Sequence, residues 1–322
     1  MPESVCPALP VGVYTLEFSA ASGDKAPRFP GNAWRGALGH SLRRLACITG
    51  ARDCQGCPQT AACAYAYIFD TPLPASAAKM RLYEQAPHPF TLREEEGANG
   101  PRLVLTLFGR GNAYLPLMVL ALRQAAAAER GVGGRRLHHE RTCQWNPIPP
   151  GAWVPIDGPA GAVAPLSPLP ALPVPDCPTG EVRITLHSPL RIKRSGKPVR
   201  PNEFVFADFF SSLLRRISML TYFHTDTPFE TDFRSLTDAA RKVNCETQLK
   251  WVDQERYSAR QKAAMNMGGV VGILRVQGPD LLPFWPLLCL GQATHTGSGA
   301  TMGLGHYTLA SLPASDNDVA VE

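Results

Sequence analysis

A chain of 322 residues amounts to about two domains at the usual ~150 residues each, and 44% apolar residues can bury a sizeable core, which excludes bulk disorder. Lys and Arg number 32 against 27 Asp and Glu, so the net charge of +5 permits an anionic partner without demanding one. No uncharged apolar run reaches the ~20 residues of a membrane helix, and an amino terminus with Glu3 and prolines at 2, 7 and 10 lacks a secretory pattern, so a cytoplasmic location is expected.

In chain order, the apolar periodicity predicts a strand over Val11 to Phe18, a helix over Asn32 to Cys47, and then a cysteine-bearing insertion. Strands follow at Met80 to Glu84 and Arg102 to Phe108, then a helix from Gly111 to Glu129 and a strand from Arg135 to Arg141. Between Pro147 and Pro178 lie 11 of the 31 prolines, a density that no helix or central strand survives. That window is apolar as well, so it is expected to lie extended along the surface as a linker. Beyond it the order repeats: strand Glu181 to Ser188, helix Asn202 to Phe223, strands Cys245 to Val252 and Gly268 to Val276, a short helix Pro279 to Leu288, and strand Gly305 to Leu309. The expected fold class is therefore α+β: two tandem ferredoxin-like (RRM-like, βαββαβ) domains, residues 1–146 and 179–322, joined by a proline-rich linker, residues 147–178. That unit is a superfold and assigns no function by itself.

Arg191, Lys193, Arg194, Lys197 and Arg200 place five positive charges in ten residues around Gly196. This pattern predicts a basic hairpin tip that tracks phosphates, with a solvated turn as the bland alternative. Arg215, Arg216, Arg256 and Arg260 extend the cationic character of the second half. The glycine-rich stretch 291–305 is expected to turn successive N–H groups toward an anion around His295, Gly297, Ser298 and Gly299, or else to be a tight surface loop. It lacks the Gly-Lys-Ser/Thr ending of a nucleotide-hydrolysing loop. Cys47, Cys54, Cys57 and Cys63, with gaps of six, two and five residues, predict a closed structural zinc or iron–sulfur site, the alternative being free thiols. A four-thiolate site keeps no open position for catalysis.

The block from Trp251 to Gly272, with R-Y-S-x-R-Q at Arg256 to Gln261 and the Gly268-Gly269 pair, precedes Gly291, His295-Thr-Gly297 and Gly303-Leu-Gly305-x-Tyr307. Together with W-R-G-A-L-G-H-S-L-R at Trp34 to Arg43 and L-F-G-R-G-N from Leu107, it closely resembles the CRISPR repeat-processing endoribonucleases, the Cas-six type of the RAMP superfamily. The family pattern usually has a lysine where this chain has Ser298 and a phenylalanine where it has Met302. The resemblance implies tandem ferredoxin-like domains that bind CRISPR precursor RNA and cut once within the repeat without a metal ion. It implies attack by the ribose 2′-hydroxyl, giving a 2′,3′-cyclic phosphate and a 5′-hydroxyl, with other Cas proteins as further partners. A subunit that binds the crRNA but has lost the cut is the second expectation, and a zinc-stabilised nucleic-acid-binding regulator a third.

Such a cut needs groups to take and give a proton and positive charge on the phosphorane. On a helical wheel from Trp34, Leu38, Leu42 and Leu45 form one face, while Gly36, His40, Arg43 and Arg44 lie opposite. His40 is therefore the expected general acid or base, Arg43 the phosphorane cation, and Tyr14 and Arg35 assistants. Gly36 and Gly39 each cost ~1 kcal/mol relative to alanine inside a helix, a cost that close approach by RNA or by the partner domain would explain. His224 and His295 are the rival histidines.

Overall fold

The computed structural model describes residues 6–20, 27, 29–51, 54, 56–73, 86–148, 151–258 and 263–311. The first domain holds β1 (Val11–Ala20), α1 (Pro30–Ala46), β2 (Phe90–Glu96), β3 (Pro101–Phe108), α2 (Leu115–Ala127), β4 (Leu137–Asn146) and β5 (Ala152–Pro155). Its sheet runs β2-β3-β1-β4-β5, all neighbours antiparallel: the ferredoxin-like order with one added edge strand. The strand expected at Met80 to Glu84 lies outside the described residues, and β2 is the described strand that pairs with β3. Central β3 is almost continuously buried, as a strand flanked on both sides should be.

The proline window begins as β5, whose edge position tolerates Pro155 opposite Cys143. The segment then runs extended against the first sheet. Val11 and Leu169 exchange backbone hydrogen bonds at 2.9 and 3.1 Å, and the Gln144 amide grips the backbone of Leu166.

The second domain comprises β6 (Glu181–Leu190), a two-stranded tip of β7 (Lys193–Arg194) and β8 (Lys197–Pro198), α3 (Phe206–His224), α4 (Phe233–Ala240), β9 (Glu246–Val252), β10 (Glu255–Ser258), β11 (Ala263–Asn266), β12 (Gly269–Gln277), α5 (Gly278–Leu281), α6 (Trp285–Thr294) and β13 (Tyr307–Ser311). Its four-stranded sheet is ordered β13-β6-β12-β9, again ferredoxin-like. The chain is thus two such domains in tandem. α3 starts later than its apolar run suggests, because Asp208 accepts a hydrogen bond from the Val205 N–H at 3.1 Å and fixes the first turn there.

Each domain has its own core: Trp34, Leu38, Leu42, Leu105 and Met118 in the first, and Phe206, Phe209, Phe210, Phe284 and Tyr307 in the second. A third small cluster of Met267, Met302 and Leu304, with Phe29 against it, ties the glycine-rich loop to the start of α1. Inside the first domain Glu94 accepts from Trp34 Nε1 and from Arg135 Nη2, each at 2.6 Å, an ion pair with only 8% and 6% of its side chains exposed. Removing either partner would strand a buried charge.

Candidate functional site

His40 lies on the outer face of α1, exposed, with Gly36 one turn before it and Arg44 one turn after it, both also exposed. A Cβ at Gly36 would meet nothing within 4 Å, so the surface beside the imidazole is open. Gly39 has a different reason: the ring of Phe69 packs onto its Cα. The domain contact falls instead on Gly31, against the Met302 backbone.

The other expected catalytic groups stand elsewhere. Arg43 turns toward the cysteine insertion, where its Nη2 donates to the Ala51 carbonyl and its guanidinium lies 5.7 Å from the Tyr65 ring centroid. The exposed cation on the histidine face is therefore Arg44. Arg35 crosses to the second domain, donating from Nε to Thr301 Oγ1 at 3.1 Å and stacking over Phe69 at 4.4 Å. Tyr14 is buried in the core of the first domain with its hydroxyl on Asn112 Oδ1 at 3.2 Å, and burial drives its pKa far up. It has no access to a substrate at His40.

Sequence reasoning missed His88. Arg35 Nη2 approaches its Nε2 at 3.4 Å, which leaves Nδ1 to donate to Thr71 Oγ1 at 2.8 Å. Its ring stacks between Phe69 and Phe90, and burial, with Arg35 and Arg216 nearby, lowers its pKa to about 3. Thr71 follows a single π-helical segment, Ala66–Asp70, and takes a φ of 42°, unusual for a β-branched residue. No local pattern announces this group, because it joins residues 35, 71, 88 and 301.

The rival histidines are interior. His224 donates from Nε2 to the Pro87 carbonyl at 2.7 Å and accepts at Nδ1 from Tyr67 Oη at 2.9 Å, and burial lowers its pKa to about 4. His295 is buried, donates from Nδ1 to the Leu304 carbonyl at 3.2 Å and packs on His306, which corrects its expected place on an RNA-contacting surface.

The glycine-rich loop is also corrected. The N–H groups of Thr296, Ser298, Met302, Gly303, Leu304 and Gly305 donate to backbone carbonyls, and that of Gly297 donates to Ser212 Oγ. Left-handed φ values of 77°, 87°, 79° and 67° at Gly297, Gly299, Gly303 and Gly305 fold the loop onto its own domain and set Gly303 against β2 and Met302 against Gly31 of α1, in place of an anion cradle. Ser298 alone of the expected loop residues is exposed.

The basic tip is a hairpin whose turn, Ser195 and Gly196, has φ of 50° and 81°, the pair a two-residue loop requires. Lys193, Lys197 and Arg200 are exposed, and Arg200 lies over the Trp251 ring at 3.9 Å. Arg194 is neutralised by Asp208 at 3.0 Å and also donates to the Glu203 carbonyl. Arg191 donates to the Gly268 carbonyl at 3.3 Å. Arg215 is exposed, but Arg216 turns inward onto the Thr294 carbonyl, which removes it from any surface path. Arg256 stands on β10, and Arg260 lies outside the described residues.

The four clustered cysteines line one surface cavity of about 420 Å³ at the end of α1. Among the described residues, no three His, Cys, Asp or Glu side chains stand close enough together to hold a metal ion. No described helix is long and apolar enough to cross a membrane.

Two ferredoxin-like domains clasped by a glycine-rich loop make this a tandem-domain protein of the ferredoxin-like class. The model of the CRISPR-associated endoribonuclease Cas6 family matches residues 184–307, and a second family model, described as an N-terminal domain, matches residues 9–152. A Cas6 product complex shares the fold over 94% of this chain and 99% of its own, at 15% identity and a TM-score of 0.55. Thermus thermophilus Cas6 does so over 94% and 100%, at 14% identity and 0.51. A partial Cas6-RT-Cas1–Cas2 complex aligns over 95% of this chain and 47% of its own, at 13% identity and 0.50. No curated protein sequence matches the chain. Residues 184–307 thus match the Cas6 family model, and over nearly the whole chain the fold is the one these Cas6 structures share.

Proposed function

We propose that this protein binds the repeat of a CRISPR precursor transcript and cuts it once by 2′-hydroxyl attack, leaving a 2′,3′-cyclic phosphate and a 5′-hydroxyl. The observation that carries the reading is His40: an exposed imidazole on a helix whose first turn is clamped by the second domain, beside a glycine that leaves its surface open. An exposed imidazole can take the 2′-hydroxyl proton or protonate the departing 5′-oxygen. Arg44, one turn further along the same face, supplies the positive charge for the phosphorane that Arg43, turned to Ala51, does not. Lys193, Lys197 and Arg200 on the hairpin track the RNA backbone, and Arg215 and Ser298 add exposed polar groups to the second domain. Precursor RNA is the partner this reading requires, with other Cas proteins as further partners should the chain act within an effector complex.

Incubating the purified chain with its own repeat RNA in EDTA tests the proposal. One cut with a cyclic phosphate on the upstream fragment is expected. Tight binding with no cut would favour the alternative, a crRNA-holding subunit of an effector.

A further inference from the structure

Residues four apart on α1 share a face, and the helix presents three such rows with different surroundings. Trp34, Leu38 and Leu42 are buried in the core of the first domain. Gly36, His40 and Arg44 are exposed and make the candidate site. The row between them, Arg35, Gly39 and Arg43, meets one short stretch of chain, Tyr65 and the π-helical segment Ala66–Asp70 that follows it. Arg35 lies over the Phe69 ring at 4.4 Å, Gly39 stands against the same ring, and the Arg43 guanidinium is 5.7 Å from the Tyr65 centroid. That stretch has anchors of its own. Ile68 is buried in the first core, Tyr67 Oη donates to His224 Nδ1 of α3 at 2.9 Å, and Thr71 Oγ1 accepts from His88 Nδ1 at 2.8 Å. Phe69 also stacks on Tyr65 at 5.5 Å and on His88 at 6.1 Å, which leaves its ring little room to swing. A Cβ at Gly39 would come within 2.3 Å of Phe69 Cζ and 2.7 Å of both Cε atoms, so only glycine admits the ring there.

We propose that Phe69 is a positioning residue for the cut: it sets the roll of α1 about its axis and with it the place of the His40 imidazole. The proposal rests on the ribonuclease reading above and adds to it a residue that acts through the helix. Gly31 against the Met302 backbone fixes the first turn of α1, more than two turns before His40. The ring on Gly39 acts at the residue adjoining the imidazole and is the nearer restraint. A roll of about 10° at the ~5–6 Å radius of a helix with its side chains displaces a side chain by about 1 Å. A misplacement of that size costs up to about 10²-fold in rate. Binding is affected less, because the hairpin cations Lys193, Lys197 and Arg200 belong to the second domain and do not turn with α1. The core row and the Gly31 contact persist without the ring, so its loss is expected to show in the rate of cutting before it shows in folding.

Single-turnover cleavage of the repeat RNA by the full-length chain, with protein saturating and below the melting temperature of every variant, tests this beside filter binding. Gly39→Ala, which drives a methyl into the ring, should lower the rate about 10-fold or more while affinity stays within a few-fold. Phe69→Leu, which removes the Cε and Cζ atoms, should lower it several-fold, again at unchanged affinity. The double variant Gly39→Ala/Phe69→Leu should cut faster than Gly39→Ala alone, because leucine has no atom where the new methyl stands. A double variant no faster than Gly39→Ala, or single variants that cut at the wild-type rate, would overturn the proposal. Should Gly39→Ala fail to fold, Phe69→Leu decides: a lowered rate at unchanged affinity supports the role, and an unchanged rate overturns it. His40→Ala is the uncut control. A wild-type chain that leaves the RNA whole would overturn the ribonuclease reading and this proposal with it, whereas wild-type cutting with indifferent Phe69 and Gly39 variants overturns this proposal alone.

Discussion

The backbone carbonyl of Met302 occupies the space where a side chain at Gly31 would begin. The glycine in the first turn of α1 and the glycine-rich loop of the other domain are thus one contact, continued by Arg35 on Thr301 and by Phe29 against Met302. Gly31→Ala should force the two apart, because the obstruction is backbone and cannot rotate away. Overpacking of this kind costs about 1–3 kcal/mol. Gly36→Ala, where a Cβ meets nothing, should leave stability equal or slightly raised by helix propensity. Thermal melts of the two variants check this, and equal melting temperatures would refute the clasp.

For the proposed cut, His40→Ala should lower the single-turnover rate about 10²-fold or more while repeat affinity stays within a few-fold. The discriminating pair is Arg44→Ala against Arg43→Ala. The first should slow cleavage with little change in melting temperature, while the second should act mainly on stability by freeing the Ala51 carbonyl. A larger rate defect from the second, with an unchanged melt, would return Arg43 to the site.

The hairpin separates phosphate-tracking from structural cations. Neutralising Lys193 and Lys197 together should weaken matched and mismatched RNAs alike, since phosphate contacts carry no sequence information. The slope of log affinity against log salt should fall by about 0.7 to 0.9 for each lost contact. Arg194→Ala should leave that slope nearly unchanged, because Asp208 already neutralises this guanidinium. Filter binding over a salt series decides, and a flat response to the double lysine variant would move the RNA path away from the tip.

Elements with a one-sided core were legible from the chain alone. β6 follows its period-two alternation, and α1 follows its apolar face. β2 was not, because Arg93 and Glu94 read as surface charges until the second domain and the Trp34–Arg135 pair cover them. The glycine-rich loop shows the same limit from another side. A glycine marks a positive φ or a close approach, but the signal is identical whether the approaching atom belongs to a phosphate or to Met302 of the same chain. The Arg35, Thr71, His88 and Thr301 group had no signal at all, being made only when the domains meet.

His224 joins the domains as a neutral ring, and that makes the joint sensitive to acid. Burial, aided by Arg110 and Arg216, lowers its pKa to about 4, against an ordinary value near 6.5. The folded state thus binds fewer protons than the unfolded one across this interval. Its contribution is fully present above pH 6.5 and is lost progressively as pH falls toward 4, on the order of 3 kcal/mol in all. His88 and His306, each lowered to about 3, and His139, lowered to about 4, act in the same direction, so the wild-type slope is that of several protons. His224→Gln keeps a donor for the Pro87 carbonyl and removes the titration. It should be less stable at pH 7.5, because Tyr67 loses its acceptor, yet its stability should fall less steeply below pH 6.5, by up to about 1.4 kcal/mol per pH unit. Urea unfolding at half-unit steps from pH 7.5 to 5 measures both slopes, and parallel lines would mean that folding does not lower the pKa of His224.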